Sequence, residues 1–282
     1  MTSRAVVLVS VLIFVLGACS SGRSAPSGGV GALVAPPPSS RTAPALPAAL
    51  TIYGAASLKG ALDKVKAAYE AANPGTTLTI STDSSATLET QIEQGAPTDV
   101  FLSADTTNPK KLVDKGLADG AAVTFAGNTL TIIVPTTNPA GIKTPADLAK
   151  SGVKVIAAGD AVPITKYATQ LVGNLAKEAG YPANFAAAYT ANIATKEDNV
   201  KAVVAKIELG EGDAGIVYVT DARASTKVAT VAVPDSANVP AAYEGVVVKA
   251  SRNAAAAQSF LAWFAGPDGQ AILGSFGFLP PS

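Results

Sequence analysis

Apolar residues return along this chain in two alternating rhythms. Leu50 to Gly54 reads as a strand. Leu58, Leu62, Val65 and Tyr69 then fall on one face of a helix that Ser57 can cap and that runs to about Ala72. Asn73-Pro74-Gly75 ends it. Thr77 to Ser81 is the next strand. Ser84 and Ser85 stand where a helix carrying Leu88 and Ile92 begins, Gly95 and Pro97 close it, and Asp99 to Ser103 is a short buried strand. Asn108 to Lys115 predicts a short helix and Thr129 to Pro135 a strongly apolar strand.

A second alternating set follows. Pro145 lies early in a short helix, Val153 to Ala158 is a strand, and Val162-Pro163-Ile164-Thr165 starts a helix to about Ala179. Phe185 to Tyr189 reads as a short strand. Thr195 to Leu209 reads as a helix with Val200, Val203, Val204 and Ile207 inward, and Asp213 to Val219 as a buried strand. Val228 to Val233 and Gly245 to Lys249 are later strands, and Asn253 to Phe264 and Asp268 to Leu273 are helices. Strand and helix in alternation predict an α/β fold with mostly parallel sheets. The two sets predict two lobes, residues 50–128 with 235–282 and residues 129–234. Crossing segments are expected near Asn128–Thr131 and Pro234–Glu244.

The first 49 residues follow neither rhythm. Arg4 precedes an apolar run from Ala5 to Leu16 that is short for a bilayer span, so residues 1–19 read as an export signal. The run ends Leu16-Gly17-Ala18-Cys19, which resembles the lipobox of bacterial lipoproteins. That resemblance implies a lipid on Cys19 and anchorage to the membrane face. A plain cleaved signal with a stray cysteine is the other reading. Residues 20–49 are mostly Ser, Gly, Ala and Pro, with Arg23 and Arg41 the only charges, a composition that predicts a disordered tether with a reach of roughly 30 Å.

Composition removes several function classes. The 282 residues hold 21 basic and 21 acidic side chains, and no basic run suggests nucleic acid. Histidine is absent, which removes the commonest general base and most zinc sites. The single cysteine lies outside the folded part, so no disulfide and no thiol nucleophile is expected there. Glu93, Asp99 and Asp105 do not share one face and read as surface or turn carboxylates rather than a metal cluster. Lys59, Lys166 and Lys201 read as solvated charges on helix faces.

What remains is a set of helix starts. Ser57, Ser85, Ile164 and the turn before Val200 are candidates to meet in one cleft, and Tyr218 ends a strand near them. A helix N-terminus carries about half a positive charge, so four suit a dianion without lysine or arginine. The plainer readings are that Ser84 and Ser85 only cap a helix and that Tyr218 only packs in a core. Glu197 and Asp198, near one helix start, are expected to point to solvent. Asp83 adjoins the serine pair, and an acceptor there would favour a protonated phosphate.

Gly54-Ala55-Ala56-Ser57-Leu58, Ser84-Ser85-Ala86-Thr87-Leu88 with QIEQGAPTDVFLSAD, Gly159-Asp160-Ala161-Val162-Pro163, Glu197-Asp198-Asn199-Val200 and Gly215-Ile216-Val217-Tyr218 together resemble the molybdate-binding proteins of bacterial ABC import systems. The likeness runs in order through residues 50–282 to Gly277-Phe278. It implies the type II periplasmic-binding fold, two α/β lobes joined by two crossovers. It also implies ligands: hydroxyl and backbone donors at Ser57 and Ser85, backbone N–H groups at Ile164 and Val200, and the hydroxyl of Tyr218. Ile164 departs from the alanine often found there, and Asn199 from an aspartate. The implied protein is no enzyme and needs no cofactor. It is a monomer that captures molybdate or tungstate and serves a membrane ABC permease. Sulfate, thiosulfate or phosphate capture, a small-acid deaminase or lyase, and an adhesion or signalling lipoprotein without a ligand are the alternatives.

Overall fold

The computed structural model describes residues 48–281. Cys19 and nearly all of the expected tether lie outside the described residues; Ala49, assigned to that tether, already belongs to the first strand. The first elements are β1 (Ala49–Ala55), α1 (Lys59–Ala72), β2 (Thr77–Asp83), α2 (Ser85–Glu93), β3 (Val100–Ser103), α3 (Thr107–Asp114) and β4 (Val123–Asn128). Then come β5 (Leu130–Pro135), β6 (Val155–Ala158), α4 (Pro163–Leu175), α5 (Phe185–Ala191), β7 (Ile193–Glu197), α6 (Val200–Glu208), β8 (Ala214–Tyr218), α7 (Val219–Arg223) and β9 (Val228–Val231). The chain ends in β10 (Ala241–Val247), α8 (Ala254–Ala265) and α9 (Pro267–Ser275).

Two five-stranded sheets result, ordered β2-β1-β3-β10-β4 and β7-β6-β8-β5-β9. In each, the strands that begin βα units run parallel, and the strands delivered by a crossing, β10 and β5, run antiparallel to their neighbours. The chain passes from the first sheet to the second between Asn128 and Leu130 and returns between Val231 and Ala241. Helices cover the middle of each sheet, so every residue of β3, β5 and β8 is buried, while the edge strands β2 and β7 stay largely polar and open to solvent. Gly215 in β8 lets α6 and β6 approach closely, since a Cβ there would stand 2.8 Å from Val203 Cγ1 and 3.0 Å from the Ile156 carbonyl oxygen.

Four local readings change. Phe185 to Tyr189 is the start of α5, not a strand, because FAAAYTA is alanine-rich and puts buried Phe185 and Tyr189 four apart on one helical face. The helix expected over Thr195 to Leu209 begins only at Val200. The preceding residues form β7, and Asn199 starts the helix by accepting a hydrogen bond from Ala202 N–H. β4 and α7 were not anticipated, and β10 lies four residues earlier than Gly245–Lys249 at its start. Ser57 does not cap α1: it sits in a 3-10 turn, Ala56–Leu58, that precedes the helix, and its hydroxyl is bonded elsewhere.

Candidate functional site

Four chain segments bring their polar ends to the seam between the sheets. β1 runs into the turn holding Ser57, and β2 into Ser84 and Ser85 at the start of α2. α4 begins at Pro163, which has no N–H to lose, so Ile164 is the first residue presenting a backbone donor. α6 begins at Val200 behind its Asn199 cap. The first N–H groups of a helix have no acceptor within it, and the helix dipole adds positive potential at that end. Tyr218 closes β8 on the same side. Ser57, Ser85, Ile164, Val200 and Tyr218 thus line one cavity together with Ser84, Ala104 and Asn199. Its open space is about 10 Å³, and none of the described residues lining it is charged. Wider cavities of about 350 Å³ between α4 and α5 and about 610 Å³ near Asp99 and Arg252 do not gather helix starts from both lobes. A cavity of about 480 Å³ beside Ser84 and Val162 does border both, but Asp83, Asp160, Lys196, Glu197 and Asp198 line it.

The hydroxyls are held in defined roles. Ser85 Oγ accepts from Ala104 N–H at 3.0 Å, which leaves its own proton free. Ser84 Oγ is buried without a hydrogen-bond partner among the described residues. That is an unusual state for a polar atom, and it faces the cavity. Ser57 Oγ lies 3.0 Å from Tyr243 Oη. Tyr218 Oη donates across the seam to the Ala104 carbonyl at 3.4 Å. Burial pushes the phenols of Tyr218 and Tyr243 well above their ordinary values, so both stay protonated donors.

The nearby carboxylates are turned to other work. Asp83 Oδ1 accepts from Ser84 N–H at 2.7 Å and from Asn199 Nδ2, across the seam, at 3.0 Å. Asp198 is exposed as expected, but Glu197 does not point to solvent: its side chain is largely buried and pairs with Lys206 at 3.0 Å. Two further readings are corrected here. Lys201 is not simply solvated, since its ammonium lies 2.9 Å from Oδ1 of the fully buried Asp221. Asp99 and Asp105 do lie in bends flanking β3, but they are buried rather than superficial. Asp99 accepts from Thr51 N–H and Ser251 Oγ, and Asp105 from Ser103 Oγ and Asn108. Among the described residues no three acidic, cysteine or histidine side chains gather as a metal site. Lys166 reaches across the seam to Thr107 Oγ1 at 3.1 Å.

Residues 50–279 match the model of the family described as bacterial extracellular solute-binding protein. The chain belongs to that family. It is similar to the molybdate-binding protein ModA of Mycobacterium tuberculosis, 34% identical over 233 residues that span 82% of this chain and 85% of the relative. The ModA of Haemophilus influenzae is 33% identical over 82% of this chain and 90% of its own length. A putative ABC transporter substrate-binding lipoprotein of Bacillus subtilis, YvgL, is 30% identical over 81% of this chain and 85% of its own length. Among solved structures, the periplasmic molybdate-binding protein of Azotobacter vinelandii superposes with a TM-score of 0.70 at 25% identity, covering 83% of this chain and all of that one. The two-lobed architecture is the type II periplasmic-binding fold.

Sequence reasoning missed Ala104, Tyr243 and Asn128 as neighbours of the site. Ser84 shares with Ser85 the reading of a cap or an anion-attracting helix start, but is not among the ligands the resemblance implies. Its position beside Ser85 at the end of a strand was the available signal. Tyr243 had none, because it arrives from a strand 186 residues after Ser57.

Proposed function

We propose that this protein captures molybdate, and tungstate with it, at Ser57, Ser85, Ile164, Val200 and Tyr218 and hands it to a membrane ABC permease. The observation that carries this reading is the meeting of four segment ends, all uncharged donors, on one cavity between the sheets. Fixed N–H and O–H groups suit a compact tetrahedral oxyanion, and the absence of lysine and arginine from the lining leaves recognition to geometry. The ModA relatives support the choice of molybdate. An open space of about 10 Å³ holds one water at most, so the lobes part and reclose around the ion. The Asn199–Asp83, Tyr218–Ala104 and Lys166–Thr107 bonds break in that motion, with the crossings at 129 and 232–240 as hinges. A lipid on Cys19 keeps the protein at the membrane, as a monomer within reach of the permease.

Thermal unfolding with molybdate, tungstate, sulfate, thiosulfate and phosphate in turn tests the reading. A ligand at a hundred times its dissociation constant stabilises by about 2.7 kcal/mol. For a body of this size the shift is roughly 5–10 °C. Shifts with molybdate and tungstate are expected. A shift with sulfate or phosphate alone changes the substrate, and no shift with any of them removes the oxyanion reading. Replacing Cys19 by alanine is expected to release the protein from the membrane fraction.

A further inference from the structure

Tyr243 comes from β10, whose pairing with β4 contains a bulge: Tyr243 faces Ala126 and Glu244 faces Thr124, leaving Phe125 as the extra residue. Its ring is clamped by edge contacts with Phe125, Tyr218 and Phe278, at centroid distances of 6.1, 5.6 and 5.4 Å. The hydroxyl is buried and meets two groups among the described residues, Ser57 Oγ at 3.0 Å and Asn128 Nδ2 at 3.4 Å.

The direction of the Ser57–Tyr243 bond follows from Asn128. Asn128 Oδ1 accepts from Thr129 N–H at 2.9 Å, which fixes the amide with its nitrogen on the other side. That nitrogen donates to Thr220 Oγ1 at 2.9 Å and to Tyr243 Oη. An amide nitrogen cannot accept, so the Tyr243 proton has one acceptor left, Ser57 Oγ. If Ser57 donated instead, the phenolic proton would face the Asn128 N–H group and be buried unpaired. Ser57 therefore accepts from Tyr243, and its own proton is released to the cavity.

We propose that Tyr243, oriented by Asn128, is a positioning residue that keeps the Ser57 hydroxyl available as a donor to the oxyanion. The inference rests on the oxyanion reading above. It also ties the site to the crossing, since Asn128 is the last residue of β4 and its amide reaches Thr220 in the other lobe. The hydroxyl that accepts a hydrogen bond is also polarised as a stronger donor.

The test is a double-mutant cycle on molybdate affinity, read by titration calorimetry of the purified protein with Ser57→Ala, Tyr243→Phe and both together. Tyr243→Phe alone is expected to weaken binding about fivefold to tenfold. In the Ser57→Ala background it is expected to change nothing, because the hydroxyl through which it acts is gone. A purely structural contribution of Tyr243 would weaken both backgrounds by the same factor. Equal factors, or no loss on Tyr243→Phe, overturn the proposal while binding by the unaltered protein and its loss in Ser57→Ala leave the oxyanion reading standing. No binding by the unaltered protein, or none lost in Ser57→Ala, overturns both. If Tyr243→Phe does not fold, Asn128→Ala takes its place in the same cycle, with the same two outcomes.

Discussion

Replacing Lys201 by methionine isolates one charge beneath the site. Asp221 is fully buried, and Lys201, about a third exposed, is its ionic partner at 2.9 Å. Burial raises the carboxyl of Asp221 and the Lys201 ammonium pulls it back. Removing the ammonium leaves burial opposed only by the backbone N–H of Tyr218. Breaking a buried pair by removing one partner costs about 3–5 kcal/mol when the remaining group stays charged. The lower figure fits here, since Asp221 can take up a proton instead and Lys201 keeps some contact with solvent. The sign follows from linkage. A carboxyl whose folded value is raised binds its proton more tightly when folded, so that stability is whole below the unfolded value of about 3.9 and is lost as pH rises through the folded value. The cost of Lys201→Met is therefore small near pH 4 and grows to about 3 kcal/mol near pH 8. For a body of this size that is a fall in Tm of roughly 6–12 °C at the higher pH. Calorimetric melts across that range measure it, and Lys201→Met in an Asp221→Asn background is expected to cost under about 1 kcal/mol at every pH. A loss that is the same at both ends of the range, or larger in acid, would refute the reasoning.

Three other perturbations have defined outcomes. Ser84→Ala removes a buried hydroxyl without a described partner, so stability is expected to hold or rise by up to about 1 kcal/mol while oxyanion affinity falls several-fold; a lowered melt contradicts the geometry. Asp147 is raised by burial, but the Lys150 ammonium and the Lys143 and Thr144 N–H groups outweigh it and hold the carboxyl at about 2. Its contribution is present above the unfolded value and lost as pH falls from about 4 to about 2, so Asp147→Asn should cost about 1–2 kcal/mol in urea unfolding at neutral pH and nothing measurable at the acid end. Gly269→Ala would place a Cβ 2.0 Å from the Phe264 carbonyl oxygen, a backbone atom with little freedom to retreat, and is expected to cost more than about 2 kcal/mol by thermal melts.

How far the chain was readable depends on the range of the forces involved. The βα units near the two ends of the cleft were legible because each is a local matter: an apolar run, a small polar residue, and apolar returns at helical spacing. Leu58 to Tyr69 and Val200 to Ile207 mark their buried faces directly. The misread stretch from Phe185 to Glu197 carries two signals at once, alanine-rich helix and β-branched strand. Asn199, a residue able to cap, decides the boundary by accepting from Ala202 N–H, against the longer helix that the apolar spacing suggests. Ser85, Ile164 and Val200 were legible because helix starts announce themselves, whereas Ser57 caps no helix and sits in the turn before α1. The groups that orient those donors were not. Ser85 depends on Ala104 N–H and Ser57 on Tyr243, contacts made only when strands 19 and 186 residues away arrive. Lys201 was misread for the same reason, because burial of Asp221 is a property of the packed lobe and not of its own segment.

The distribution of charge around the cleft follows one physical logic. A lysine in the cavity would attract any anion from a distance and hold it with little regard to shape, since an ammonium is a point charge with freely turning donors. Peptide N–H groups and oriented hydroxyls act only at contact and along fixed directions, so they discriminate by size and geometry. For that selection to operate, carboxylates near the seam must be neutralised or engaged so that they neither repel the anion nor supply a stray acceptor. Asp83 is engaged by Ser84 N–H and Asn199, Glu197 by Lys206 and Asp221 by Lys201. Each of these bonds also fixes a segment that presents a donor: Asp83 ties the start of α2 to the cap of α6, and Lys201 ties the first turn of α6 to the helix that follows Tyr218. The charges hold the frame, and the frame aims the dipoles.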